Sequence, residues 1–306
     1  MTPQQAGATR IPASIEASPS HVLNGKLEPG VLPRGTRVYL TDVGVDPLDD
    51  YIAAARMIGE MGYAAAPHVP ARRIESEAAL ERRIARLRDE AGVDDVLVIA
   101  GEAETTMGPF GESLDVLRTG VLDRHGIAKV GIAGHPEGNA AYGKVDPNGV
   151  LAQKAAHAAE SDAAYRIVTQ FGFDGDGFVR WARAVKRAGI GLPIHLGVAG
   201  PAKVSTLIKF AAMCGVGNSL SFFRKRFGAV AALATRYSPE EVVTPIERAW
   251  AMEDDANIAQ IHVFPFGGIR SSAEWLTERG SLVFTEADAT AEEPGNVVSL
   301  RIAPVA

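Results

Sequence analysis

A (β/α)8 barrel is the fold class this sequence predicts, and three observations carry it. Short apolar runs alternate with Ala/Arg/Glu-rich helical stretches along the chain, the rhythm of a parallel sheet. Eight such runs occur: Ala13–Glu16, Arg37–Thr41, Ala64–Val69, Asp95–Gly101, Lys129–His135, Tyr165–Phe173, Pro193–Ala199 and Gln260–Phe266. The phosphate turns of competing α/β folds are missing. No G-x-G-x-x-G follows the first run, and neither Gly25-Lys26 nor Gly143-Lys144 is followed by Ser or Thr.

Each element has a local reason. The strand runs are β-branched and nearly continuous in apolar character, as strands covered on both faces must be. Between them, Asp49–Met61, Ser76–Ala91, Gly149–Ala159, Gly177–Ala188 and Val204–Ala212 read as helices, and Asn218–Ala256 is expected to hold more before the last strand. No Gly/Ser linker divides the chain, so residues 1–306 are expected to form one domain, with a flexible polar tail over 1–10.

Composition excludes several classes. The chain has 306 residues, 22% of them charged, and a net charge of −6 without a sustained basic block, which argues against nucleic acid as the main ligand. A local cationic pocket remains compatible with that balance. No run of 18 apolar residues suggests a membrane span, and no signal-peptide core opens the chain, so a cytoplasmic location is expected. Cys214, the one cysteine, lies among Ala211, Ala212 and Met213 and reads as a buried, inert thiol.

In a barrel the site is built at the carboxyl ends of the strands. Those ends carry Glu16, Thr41, His68, Glu102, His135 with Glu137, Gln170, and the Gly197–Pro201 turn. Carboxylates and imidazoles at one mouth suit acid–base chemistry. A carboxyl at a strand end among apolar neighbours, as Glu16 is, is a candidate general acid. On spacing alone, Glu16 also reads as a surface acid and His68 as a satisfied strand-end histidine. His135 and Glu137 alone are too few to indicate a metal, and no metal site is expected.

The run Arg166-Ile167-Val168-Thr169-Gln170-Phe171-Gly172-Phe173-Asp174 resembles the ITQ-FFFD signature of the methylenetetrahydrofolate reductase family. Other segments resemble that family in order. Ser14-Ile15-Glu16 is similar to its S-F-E, Ala66-Pro67-His68 to its A-P-H, Gly101-Glu102 to its R-G-D turn, and Gly134–Asn139 to its G-Y-P-x-G-H-P turn. The helix with Leu151 and Lys154 resembles its L-K-x-K helix.

The resemblance implies a barrel that reduces 5,10-methylenetetrahydrofolate to 5-methyltetrahydrofolate with NADH or NADPH. It assigns Glu16 and Glu102 to catalysis, and Gln170, Phe171 and Phe173 to the folate. Thr41, His68, Gly101, His135, Asn139 and Lys154 would face the cofactor. The family cofactor is FAD, yet Ala100 stands where the family has Arg, His135 where it has Tyr, and Asn139 where it has His. Two hydride routes stay open: through FAD, or directly from a nicotinamide stacked on the pterin. A cofactor-free barrel lyase or tetrahydrofolate-dependent methyl-group enzyme, and a non-redox folate-binding subunit, are the alternatives. The expected partners are small molecules, with self-association into a homo-oligomer left open.

Overall fold

The protein is described as a computed structural model over residues 10–103, 105–138, 147–214, 236–252, 256–285 and 288. The expected tail thus lies outside the described residues except for Arg10, whose guanidinium donates to Glu247 at 2.8 Å. In chain order the elements are β1 (Ala13–Ala17), α1 (Pro19–Leu23), β2 (Arg37–Leu40), α2 (Leu48–Glu60) and β3 (Ala64–Pro70). A 3₁₀ turn (Ala71–Arg73) leads to α3 (Glu77–Ala91), β4 (Asp95–Ile99), α4 (Ser113–Arg118), α5 (Val121–Arg124), β5 (Lys129–Gly134) and α6 (Pro147–Ala158). There follow β6 (Ala164–Gly172), α7 (Gly175–Arg187), β7 (Ile194–Ala199), β8 (Ala202–Lys203), α8 (Val204–Met213) and β9 (Arg236–Tyr237). The described chain continues through α9 (Glu240–Ala251), β10 (Ile258–Phe264) and α10 (Ile269–Glu278).

Seven of these strands and β10 close a barrel in the order β1-β10-β7-β6-β5-β4-β3-β2. Parallel pairing of β1 with both β2 and β10 makes the closure. The predicted (β/α)8 fold is therefore the observed one, each of the eight runs forming a barrel strand to within two residues at either end. The antiparallel pair β8–β9 is not expected from the sequence and lies outside the barrel. Of the span Asn218–Ala256, α9 is the described helix; 215–235 and 253–255 lie outside the described residues. No helix among the described residues is long and apolar enough to cross a membrane.

Local chemistry sets the boundaries. Ser76 caps α3 by accepting from the Ala79 amide at 3.2 Å, and Gly92 ends it in the left-handed conformation. Leu80, Ile84 and Leu87, spaced by four and three, are the residues that α3 buries. Asp174 ends the β6 signature as the cap of α7, accepting from the Gly177 amide at 2.8 Å.

The apolar core has two parts. A large mantle between strands and helices includes Ile15, Val38, Val96, Ile132, Ile167 and Val263. A small separate cluster of Tyr39, Ala66, Leu97 and Val168 belongs to strands β2, β3, β4 and β6 and packs inside the barrel. Beside it lies a layer of charge. Asp95, 2% exposed, accepts from Arg166 at 2.6 Å and from Arg37 at 2.7 Å. Arg166 also donates to the Tyr39 hydroxyl at 2.7 Å, and that hydroxyl lies 3.4 Å from His195 Nδ1. The barrel interior is thus not the apolar run that the sequence suggests for β6, because Arg166 points inward and is nearly buried. A buried guanidinium requires a paired carboxylate, and β4 supplies it.

Removing one partner of a buried ion pair leaves the other charged and desolvated. Asp95→Ala is expected to cost about 3–5 kcal/mol of folding stability. Urea denaturation checks this; a loss within experimental error would mean that the layer is not load-sharing.

Candidate active site

The mouth of the barrel holds a half-open cavity of about 160 Å³, lined from strands β1, β3, β4, β5, β6 and β10 and the turns that follow them. Glu16, at the end of β1, reaches into it between two imidazoles. His68 Nε2 and His262 Nε2 each lie 3.7 Å from Glu16 Oε1. These contacts are longer than ordinary hydrogen bonds, as often found in active sites without ligand. Both Nε2 atoms are buried and have no hydrogen-bond partner among the described residues. Such atoms are costly unless a substrate or a shift of the carboxylate satisfies them.

The strand register builds this cluster. Glu16 lies level with Tyr39 on β2, and Ser14 level with His262 on β10. Ser14 Oγ is 3.1 Å from His262 Nδ1. A hydroxyl can donate to a bare Nδ1 or accept from a protonated one. His262 can therefore offer Glu16 either a proton or a lone pair. The Tyr39 ring packs edge-on against His262 with centroids 4.5 Å apart, and more loosely against His68 at 6.3 Å. Burial holds the His68 imidazole below its ordinary pKa, with the Glu16 charge opposing. His68 is thus a neutral neighbour at pH 7.

Gln170 enters through a bulge. The β6–β7 register shifts between Val168 and Phe171. Thr169 Oγ1 accepts from the Gly197 amide at 2.8 Å and donates to the Gln170 carbonyl at 2.9 Å. Gln170 Oε1 accepts from the Phe171 amide at 3.1 Å. The bulge aims the side chain at the cavity and fixes its oxygen, so that the amide NH2 is presented to a ligand. A donor-plus-acceptor grip on a pterin would require that side chain to rotate.

Six predicted site residues meet in this cavity: Glu16, His68, Gly101, Glu102, His135 and Gln170. Gly101 has φ +87°, and a Cβ there would lie 3.1 Å from the Pro70 Cβ, so glycine lets the β4 turn pass close to β3. Burial, then the Lys154 ammonium, pushes His135 down to about 4.

Other expectations need correction. Phe171 and Phe173 do not line the cavity. They are 1% and 3% exposed, and Phe171 packs on Phe173, Phe264 and Phe266 at 5.9, 5.3 and 4.8 Å. Both rings belong to the main apolar core, Phe173 lying just beyond the end of β6, and this takes them away from the mouth. Phe264 is the cavity's aromatic wall among the described residues. Lys154 does not line the cavity either. It is 1% exposed, and burial pushes its ammonium down to about 8, with Glu112 opposing. Thr41 is half-buried outside the lining, its amide bonded to the Ala17 carbonyl at 2.9 Å. Asn139 lies outside the described residues. Cys214 is half-buried rather than buried, while burial raises its thiol to about 12, in keeping with an inert group.

Sequence reasoning missed Ser14, Arg72, His262 and Phe264. A signal existed for the last two: in Gln260-Ile261-His262-Val263-Phe264 every second residue shares one face, and the apolar pair Ile261 and Val263 takes the other. Among the described residues no group of three His, Cys, Asp or Glu side chains could hold a metal ion.

The His135 shift predicts a pH dependence. The folded pKa of about 4 lies below the ordinary 6.5, so the unfolded chain takes up the proton first. The stability from this group is complete above about pH 6.5 and is lost as the pH falls to about 4. His135→Asn is expected to remove that component from the acid limb. Parallel wild-type and H135N stability curves between pH 7 and 4 would contradict it.

No protein-family model matches the sequence. Among solved structures, the chain is similar to a putative lyase/mutase from Burkholderia cenocepacia, at 14% identity and a TM-score of 0.45, covering 95% of this chain and 92% of that one. Dihydropteroate synthase (FolP) from Thermus thermophilus aligns at 12% identity and a TM-score of 0.43, over 90% and 95%. 3-Dehydroquinate dehydratase from Geobacillus kaustophilus aligns at 11% and 0.39, over 71% and 93%. Likenesses this distant carry no argument about reaction or substrate, and the fold assignment rests on the strand pairing itself.

Proposed function

We propose that the barrel mouth binds a reduced folate and that the protein catalyses hydride transfer from NADH or NADPH to 5,10-methylenetetrahydrofolate, giving 5-methyltetrahydrofolate. The observation that carries this reading is Glu16 held between His68 and His262, in one cavity with the Gln170 amide. The reaction needs one proton and one hydride. Glu16 gives the proton to N10 as the bond from the methylene carbon to N10 breaks, leaving an iminium at N5. The nicotinamide then gives its hydride to that carbon. The Ser14–His262 pair returns a proton to Glu16, since the hydroxyl accommodates both imidazole tautomers. Gln170 donates its NH2 to the pterin edge, and Glu102 balances the positive charge of the iminium from the cavity rim. Phe264 supplies a flat apolar wall for stacked rings.

The residues that the resemblance assigns to FAD do not fit a flavin diphosphate. Ala100 replaces the family's arginine, and Lys154 is buried away from the cavity. A diphosphate calls for charge-assisted donors that can reach it. With the family's flavin positions changed, direct transfer within a ternary complex is the proposed route, the nicotinamide dinucleotide being held by donors other than those positions. Its test is NADH and NADPH oxidation with methylenetetrahydrofolate by protein stripped of any chromophore. Activity that returns only with added FAD would reject the direct route. Folate binding without nicotinamide oxidation would favour a methyl-group enzyme or a non-redox folate-binding subunit.

Glu16→Gln keeps the shape and loses the acid. It is expected to lower kcat by about 10²–10⁴-fold while folate affinity changes little. An unchanged kcat would remove Glu16 from the mechanism. Gln170→Ala is expected to weaken folate binding by about 1–3 kcal/mol with the fold retained, read by calorimetric titration and circular dichroism. Unaltered affinity would detach Gln170 from the pterin.

A further inference from the structure

The cavity wall formed by the turn after β3 carries a guanidinium that the reaction above does not use. Arg72 lines the mouth and is half-buried. It donates from Nε to the Gly111 carbonyl at 2.9 Å and from Nη1 to the Ala103 carbonyl at 3.4 Å. It has no carboxylate partner among the described residues. Several of the other shielded arginines are paired, although half-buried Arg73 has no carboxylate partner among the described residues either. Arg166 and Arg37 pair with Asp95, Arg83 with Asp42, and Arg279 with Glu240 and Glu247. A partly desolvated cation without a counter-charge is costly, and in a chain of net charge −6 acids are not scarce.

The arginine is also held in place before any ligand arrives. Its own amide donates to the Ala100 carbonyl at 2.9 Å, and its carbonyl accepts from the Met107 amide at 2.8 Å. Two carbonyls fix the guanidinium plane, and Nη2 makes no hydrogen bond to a described residue. Nε and Nη1 are each held by a carbonyl, and Nη2 keeps its N–H donors for a phosphate or carboxylate oxygen.

We infer that Arg72 is an anion anchor of the barrel mouth, taking a phosphate or carboxylate group of the ligand bound there. Two sources share that chemistry: the diphosphate of a nicotinamide dinucleotide and the glutamate carboxylates of a folate. The inference deepens the proposed function and rests on it only for which of the two is bound. An unattached anion of the same chemistry should occupy the site whatever the reaction is.

The test is calorimetric titration of wild-type protein, Arg72→Gln and Arg72→Lys at low and high salt. The probes are inorganic pyrophosphate, glutarate, NADPH, 5-methyltetrahydrofolate and 6-methyltetrahydropterin, which lacks the anionic tail. R72Q is expected to weaken pyrophosphate or glutarate roughly ten- to a hundredfold, with R72K intermediate and the salt dependence reduced. The neutral tetrahydropterin should bind as before. Loss confined to NADPH names the diphosphate as the physiological group; loss confined to 5-methyltetrahydrofolate names the glutamate. Anion affinities within twofold of wild type, no anion binding by the wild type, or an equal loss for the tetrahydropterin would each overturn the inference. Should R72Q fail to fold, R72K carries the same comparison. A protein that binds pyrophosphate through Arg72 but oxidises no NAD(P)H would refute the proposed reaction and leave the anchor standing.

Discussion

One carboxylate deep in the barrel sets the terms for everything above it. Asp95 is almost wholly removed from water, and it is bonded to guanidinium groups from β2 and β6 on opposite sides of β4 in the barrel order. In a medium of low dielectric neither sign can stand alone, so the three strands are held in a single register. Arg166 passes that constraint to Tyr39 through its hydroxyl, and burial keeps the phenol protonated by raising its pKa. The Tyr39 ring then braces His262 and His68 edge-on. Glu16 lies 3.7 Å from both imidazoles, which pack on that ring. The acid at the mouth thus stands on a charge layer one storey down.

A second constraint fixes the opposite wall. The β6 bulge would leave backbone groups unpaired, and the side chains of Thr169 and Gln170 satisfy them. Behind it, Phe171 is locked among Phe173, Phe264 and Phe266. Edge-to-face rings at these separations resist sliding. The aromatic residues serve the site from behind, as a rigid backing for Gln170 and Phe264, rather than as its lining. Rigid backing matters because catalytic geometry tolerates little displacement.

The cavity is electrically divided. Glu16 and Glu102 supply acid, His68 and His262 proton-handling nitrogen, and Arg72 a fixed positive charge after β3. A flat ligand with a polar edge and an anionic tail matches that division. The polar edge would meet Gln170, and the tail would run towards Arg72. Lys154 adds its charge from behind the wall, where its ammonium lowers the proton affinity of His135.

The order of strands and helices was legible from the sequence because burial on both faces of a parallel strand writes a continuous apolar run, and caps such as Ser76, Gly92 and Asp174 mark where helices begin and end. So were the strand-end residues Glu16, His68, Glu102, His135 and Gln170, because a barrel gathers its strand ends at one mouth. What only the tertiary structure decided is which side chains share a height and a direction. Ser14 and His262 are separated by most of the chain and meet because β10 closes the barrel against β1 in one register. Phe171 and Phe173 turn away from the cavity, and Lys154 is buried outside its lining, because side-chain direction follows the β6 bulge and tertiary packing rather than order along the chain. Arg72 is ordinary as a letter in Ala71-Arg72-Arg73. It acquires meaning only where the fold brings it to the cavity wall with no carboxylate partner among the described residues, and charge balance at a point in space is a property of the closed barrel rather than of any segment.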